Sequence, residues 1–212
     1  MKLKDGYTGK KIFSEMQSYI EKVMTINKLS TESIEVTVFD EVHVINKKDL
    51  YSKVCQMINF YVEQLENKYA WVLFGIDDKS NVECLQVASS NNVSKEIKCD
   101  VKAMVAESFD KFYLDTYFYE NVFETYQCRY SNPLYNDMFK KYMQLTFYTI
   151  EVDKYLSEKE KKFCLELLGN TDSSVERKYA NYAEVKFAYE TQAIYWNPFG
   201  IEYKILEQIK GN

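Results

Sequence analysis

Residues 69–92 read YAWVLFGIDDKSNVECLQVASSNN, and this stretch decides the fold. Two β-rich runs, 69–76 and 82–88, stand on either side of the polar segment 77–81. Asp, Ser and Asn favour turns because their side chains hydrogen-bond to nearby backbone groups. The stretch therefore predicts a β-hairpin. The four polar residues at its end are good N-caps, which predicts a helix over residues 93–109.

Further strands and helices are predicted on both sides of the hairpin. Residues 34–44 alternate apolar and polar side chains, and residues 145–152 form another β-rich run, so both are predicted strands. Apolar residues recur at helical spacing over 11–26 and 50–65. Asn132-Pro133 starts another helix, since Asn is a good cap and Pro fits the first turn.

Two capping patterns mark the last predicted helices. Ser157 and Glu160 open a short helix, and Ser173 and Glu176 open a long helix that ends before Pro198. The order of all these elements predicts an α+β fold, in which a small central β-sheet with a hairpin and a later strand is flanked by several helices.

Length and composition predict a single folded domain. The chain has 212 residues, of which 46% are hydrophobic, with only 6 Gly and 2 Pro. We expect residues 1–68 to form a helix–strand–helix extension packed on a core of residues 69–212. The first residues lack the apolar segment of a signal peptide, and no run approaches the roughly 20 apolar residues of a membrane span. A cytoplasmic protein without membrane contact is expected.

Charge and metal-binding residue types restrict the function further. The net charge is −5, so a nucleic-acid partner requires a local basic strip. Only two arginines, Arg129 and Arg177, offer the forked guanidinium that suits phosphate. The five cysteines are scattered without a CxxC pair, and His43 is the only histidine. The usual zinc sites are therefore excluded, and a Ser-His-Asp triad would have to use His43.

The order of hairpin, helix, later strand and closing helix resembles the GIY-YIG nucleases over about residues 69–200. Residues 70–73 stand where the GIY triplet lies, and residues 85–93 are similar to the YIG segment and the polar residues after it. Residues 145–152 are similar to the third strand of that family. Glu184 and Asn197 look like the glutamate of its last helix and the asparagine that follows.

The resemblance implies a set of site residues and a cofactor. Trp71 and Gln86 stand at the two family tyrosines, and Lys95 is the cation nearest to the family arginine. In that family the tyrosines and the arginine handle the attacking water and the phosphate, and the glutamate holds a divalent ion. The resemblance therefore implies that Glu184 binds Mg²⁺, that Lys95 or Arg177 stabilises the phosphate, and that Gln86 orients water.

The closing helix indicates a polar strip independently of the resemblance. Arg177, Asn181 and Glu184 follow one another at spacings of four and three residues, so they share one helix face. Such a strip suits a phosphate and an ion together, although a solvated face with ordinary ion pairs gives the same pattern. Glu190 is a competing carboxylate, nearly opposite Glu184 on the helix.

Two functional hypotheses remain open at this point. The first is a divergent GIY-YIG-like protein, either a Mg²⁺-dependent nuclease or phosphodiesterase or an inactive nucleic-acid binder. The second is a non-catalytic interaction module that binds a protein partner, or forms a homodimer, through the aromatic-rich residues 109–130. Its basis is that interface cores are enriched in aromatic residues and that the aromatic segment 112–119 is hard to bury entirely in one small core.

Overall fold

The structure is a computed structural model, and it confirms the predicted α+β class with a five-stranded mixed sheet and four helices among the residues that it describes. Those residues are 33–38, 41–49, 52–53, 56–57, 69–79, 81–90, 142–194, 196 and 198–211. The predicted helices over 11–26 and 93–109, and the one that begins at Asn132-Pro133, lie outside them. Within the predicted helix 50–65, the four described residues are helical.

The sheet has the strand order β2-β1-β5-β3-β4. Its strands are β1 (Ser33–Val38), β2 (Glu41–Asn46), β3 (Tyr69–Asp77), β4 (Val82–Ser89) and β5 (Tyr142–Glu151). The pairs β1–β2, β3–β4 and β3–β5 are antiparallel, whereas β1 and β5 run parallel. The single strand predicted over 34–44 is therefore wrong, because the chain reverses between β1 and β2.

The predicted hairpin is confirmed as β3 and β4. Asp77 organises its turn, since one carboxylate oxygen accepts hydrogen bonds from the backbone N–H groups of Lys79 and Asn81, each at 2.8 Å. The register pairs Ala70 with Ser89 and shifts once, between Leu73 and Phe74. This register decides which β4 side chains reach the helices.

The described helices after the sheet are α1 (Val152–Tyr155), α2 (Glu158–Leu168), α3 (Val175–Thr191) and α4 (Ile201–Gly211). The Ser157–Glu160 capping box is confirmed at the start of α2. The cap of α3 is Ser174, one residue later than predicted, and its hydroxyl accepts the Arg177 N–H.

The predicted long helix up to Pro198 is wrong, because α3 ends at Thr191. Gln192 takes a left-handed conformation with φ of 52°, and its N–H donates to the Ala188 carbonyl, which closes the helix. The segment after it returns along β4, where the Ile194 N–H donates to the Cys84 carbonyl at 3.0 Å. Helix α4 then follows, and it was not predicted.

The helices pack on one face of the sheet, which we call the helix face. Alternate residues of β3 point there (Ala70, Val72, Phe74 and Ile76) and share a core with apolar residues of all four helices. Trp71 and Leu73 point to the opposite face and are also fully buried. Burial on both faces explains why β3 reads as a continuous apolar run. Among the described residues, no helix has the length and apolar character needed to cross a membrane.

Candidate functional site

Glu184 is a buried carboxyl between α3 and the sheet. Only 5% of the surface of Glu184 is exposed to solvent. The Ser89 hydroxyl donates to Oε2 at 2.6 Å, and the Trp196 indole N–H donates to Oε1 at 3.1 Å. Both carboxylate oxygens therefore have a hydrogen-bond donor, so the side chain is held in one orientation.

Ser89 is the centre of a polar cluster. Arg177 Nη1 donates to the Ser89 oxygen at 3.1 Å, and Asn181 Oδ1 lies 3.4 Å from the same oxygen. A hydroxyl has one proton to give, and the shorter contact assigns it to Glu184. We call Ser89, Arg177, Asn181, Glu184 and Trp196 the Glu184 cluster.

Local sequence explains how the cluster is assembled. The i, i+4, i+7 spacing on α3 places Arg177, Asn181 and Glu184 on the face that looks at the end of β4. Ala180 and Ala183 are fully buried beside them, and their small side chains let α3 approach the sheet closely. Trp196 is brought back to the site by the segment that follows α3.

The electrostatics of the cluster shift the pKa of Glu184 upward. Burial raises the pKa of Glu184 to about 8, and the negative charge of Glu202 acts in the same direction. Hydrogen bonds from Ser89 and Trp196 and the positive charge of Arg177 lower this pKa, but by less. A strongly perturbed carboxyl beside an arginine is typical of functional sites.

Trp71 and Gln86 are not brought together with Glu184. Ser89 pairs with Ala70, so both face the helices, whereas Trp71 is one residue further and points to the opposite face. Gln86 is three residues before Ser89, so alternation places it on the opposite face as well. The Trp71 ring accordingly lies near Phe147, with centroids 6.3 Å apart. The predicted pocket shared by these three residues is therefore not formed.

The remaining predicted site residues have different outcomes. Arg177 and Glu184 are joined through Ser89, as the helix spacing predicts. Lys95 and Asn197 lie outside the described residues, so their roles remain predictions. Ser89 and Trp196 were missed. Period-two alternation along residues 86–89 is the signal that could have placed Ser89 on the helix face.

The competing carboxylate Glu190 belongs to a different network. The Tyr155 hydroxyl donates to Glu190 at 2.6 Å, and Lys186 Nζ lies 4.0 Å from its other oxygen. Lys186 also pairs with Glu160 at 2.7 Å and stands 4.4 Å from the centre of the Tyr155 ring. These contacts connect α1, α2 and α3, which is a structural role.

Within the Glu184 cluster, Glu184 is the one side chain that offers a carboxylate to a cation. A carboxylate offers about four acceptor positions, and two of those on Glu184 are used. Mg²⁺ commonly binds one or two carboxylates and keeps several waters or substrate phosphate oxygens. Within the described part of the chain, no three His, Cys, Asp or Glu side chains gather to hold a metal ion by themselves.

Comparison with protein families, curated proteins and solved structures finds no match for this chain.

Proposed function

We propose that the chain is a divergent GIY-YIG-like protein that binds nucleic acid and hydrolyses phosphodiester bonds with Mg²⁺ at the Glu184 cluster. The observation that carries this proposal is the 2.6 Å hydrogen bond between Ser89 and Glu184. It joins the carboxylate of α3 to Ser89 at the end of the second hairpin strand, whereas Gln86, the strand residue that the resemblance places opposite Glu184, lies on the other face of the sheet.

Each member of the cluster has a role that its geometry suits. Glu184 would hold the ion, which supplies charge stabilisation for the phosphoryl group. Arg177 presents a forked guanidinium for two phosphate oxygens, and it is already oriented by Ser89. Ser89 connects the two, so that cation and carboxylate stay at a fixed separation. Trp71 and Gln86 have no part in this proposal.

The roles proposed here differ from those implied by the family tyrosines. No phenol stands at either hairpin position, so Asn181 would orient the attacking water. Binding without cleavage is the second outcome that the same cluster supports. The interaction-module hypothesis depends on residues 109–130, which lie outside the described residues, and it stays a prediction.

Cleavage assays test the proposal directly. Plasmid, single-stranded DNA and RNA are incubated with the pure protein and Mg²⁺ or Mn²⁺, with EDTA as the metal-free control. Glu184→Gln should abolish cleavage. Glu190→Gln, the same chemical change on the same helix, should leave it near the wild-type rate. Activity that survives Glu184→Gln unchanged would refute the assignment.

Arg177 variants separate positioning from charge. Arg177→Ala should lower the cleavage rate by about a hundredfold or more, as loss of a preorganised donor does in other enzymes. Arg177→Lys retains the charge but loses the fork, so it should recover only part of that loss. Lys159→Ala, which removes an exposed cation from α2, serves as the control.

A further inference from the structure

Two aromatic rings are exposed at the start of α4. Phe199 is 84% exposed and Tyr203 is 49% exposed, whereas nearby Trp196 is 1% exposed. Gly200 between them has φ of 56°, a left-handed conformation that favours glycine. Both rings are therefore open to solvent.

The backbone that carries Phe199 is fixed rather than loose. The Phe199 N–H donates to Glu202 Oε2 at 2.7 Å, and the Glu202 N–H donates to the Phe199 carbonyl at 3.1 Å. This reciprocal pair caps α4 in the manner of a capping box. The Phe199 side chain is large, apolar and exposed, and backbone hydrogen bonds fix its position. Such a side chain is a candidate recognition element.

Phe199 is also connected to the Glu184 cluster. Glu202, which accepts the Phe199 N–H, lies close enough to Glu184 for its negative charge to raise the pKa of that carboxyl. Trp196, three residues before Phe199, hydrogen-bonds Glu184 directly. Phe199 therefore lies three residues along the chain from a direct hydrogen-bond partner of Glu184.

An exposed aromatic ring beside a phosphate site suits an unpaired base. Bases of single strands stack on Phe and Tyr, whereas the bases of a duplex are already stacked on one another. The net charge of −5 gives the chain little general attraction to phosphate, so base contacts must supply more of the affinity than in a basic protein. Both points favour a single strand over a duplex.

We infer that Phe199 and Tyr203 form a stacking platform for unpaired bases, and that the substrate class of the Glu184 cluster is single-stranded nucleic acid. The inference rests on the proposed function for the location of the phosphate. It adds the strandedness of the substrate and the residues that recognise it. Phe199 stacks on the base next to the bound phosphate, and Tyr203 extends the platform along the first turn of α4.

Binding measurements in EDTA test the platform without cleavage. A fluorescein-labelled mixed-sequence oligonucleotide, as DNA or RNA, is titrated single-stranded and annealed to its complement. Phe199→Ala should weaken single-strand binding by about tenfold and leave duplex binding unchanged. Phe199→Leu keeps an apolar side chain without a π-face and should bind as weakly as Phe199→Ala. Phe199→Trp should bind as well as the wild type or better.

Controls separate the inference from the proposed function. Val44→Ala, which changes a side chain 60% exposed on the edge strand β2, should bind single strands like the wild type. A wild-type protein that cuts single strands while Phe199→Ala binds them unchanged overturns the platform alone. Wild-type binding by Phe199→Leu also overturns it, because the contact is then merely apolar. A wild-type protein that binds neither single strand nor duplex overturns both.

Discussion

Glu184 is an acid whose burial works against its charge. The unfolded chain would release its proton near the ordinary pKa of 4.5, whereas the folded chain retains it up to a pKa of about 8. The folded state therefore binds more protons between these values, and stability must fall as pH rises through this window. A buried ionisable group that costs stability is expected where function retains it.

Glu184→Gln should remove most of this pH dependence. Gln keeps the shape of the side chain and cannot ionise, so its stability should change less than that of the wild type between pH 5 and pH 8. The difference in the free energy of unfolding should amount to a few kcal/mol at most. Urea denaturation at several pH values measures it.

Glu35 also makes stability fall as pH rises, and its contribution can be separated from that of Glu184. Burial raises the pKa of Glu35 to about 7, and neither carboxylate oxygen has a hydrogen-bond partner among the residues that the structure describes. Glu35→Gln should remove the contribution of Glu35 and Glu184→Gln that of Glu184, so the two variants separate the two carboxyls. Glu166→Gln, which changes an exposed acid, is the control. Identical curves for the wild type and Glu184→Gln would show that Glu184 is ionised in the folded protein.

The Ser89–Glu184 contact should be measurable as an energetic coupling. Ser89→Ala removes the donor to Glu184 and the acceptor of Arg177, so it should destabilise the fold by roughly 1–3 kcal/mol. In a cycle with Glu184→Gln, the two changes should deviate from additivity by about 0.5 kcal/mol or more. Urea melts of the two single variants and the double variant give this value. Strict additivity would mean that the two side chains do not interact in solution.

At the scale of elements, the hairpin and the start of α2 follow from local chemistry that the sequence displays. Residues 77–81 have side chains that favour a turn, and Ser157 and Glu160 form a complete capping box. The end of α3 has no such signal, because Gln192 takes the left-handed position that Gly usually occupies. The β1–β2 reversal likewise lacks Gly, and the alternating pattern runs through it.

Of the candidate site, only the residues on α3 could be predicted from the sequence. Spacing along α3 places Arg177 and Glu184 together, because helix geometry is local. Which face of β4 meets α3 is a tertiary property, and a shift of one residue sends every side chain to the other face. Aligning Gln86 to a family tyrosine chose the wrong face, and Ser89 was interpreted as a helix cap.

Gly75 in β3 stands where the sheet leaves no room for a side chain, and this packing can be tested. A Cβ there would lie 2.6 Å from the Tyr142 ring and 2.9 Å from Leu85, both fully buried residues. Gly75→Ala should therefore destabilise the protein by about 1–3 kcal/mol through overpacking. Gly211→Ala meets nothing within 4 Å and is the matched control. Equal melting temperatures for the two variants would contradict this packing.

At the scale of the whole molecule, β1 and β2 belong to the same sheet as the hairpin. The sequence predicts an extension of residues 1–68 packed on a core of 69–212, and β1 pairs with β5 from Glu35↔Gln144 to Val38↔Phe147. Val36 of β1 is fully buried. Strands from before and after residue 69 therefore form one sheet. β5 is a central strand of it only when β1 is present.

The fragment 69–212 should consequently fail to fold on its own. Without β1, one side of β5 exposes unpaired backbone N–H and C=O groups, which is a template for aggregation. We expect aggregation or a loss of cooperative unfolding, measured by size-exclusion chromatography and thermal circular dichroism. Residues 1–68 supplied as a separate chain should restore the fold, because β1 can add to β5 as an independent strand. A fragment that unfolds cooperatively like the full chain would show that β1 is dispensable. The Glu184 cluster consists only of residues after 69, so it would then be supported by a smaller sheet.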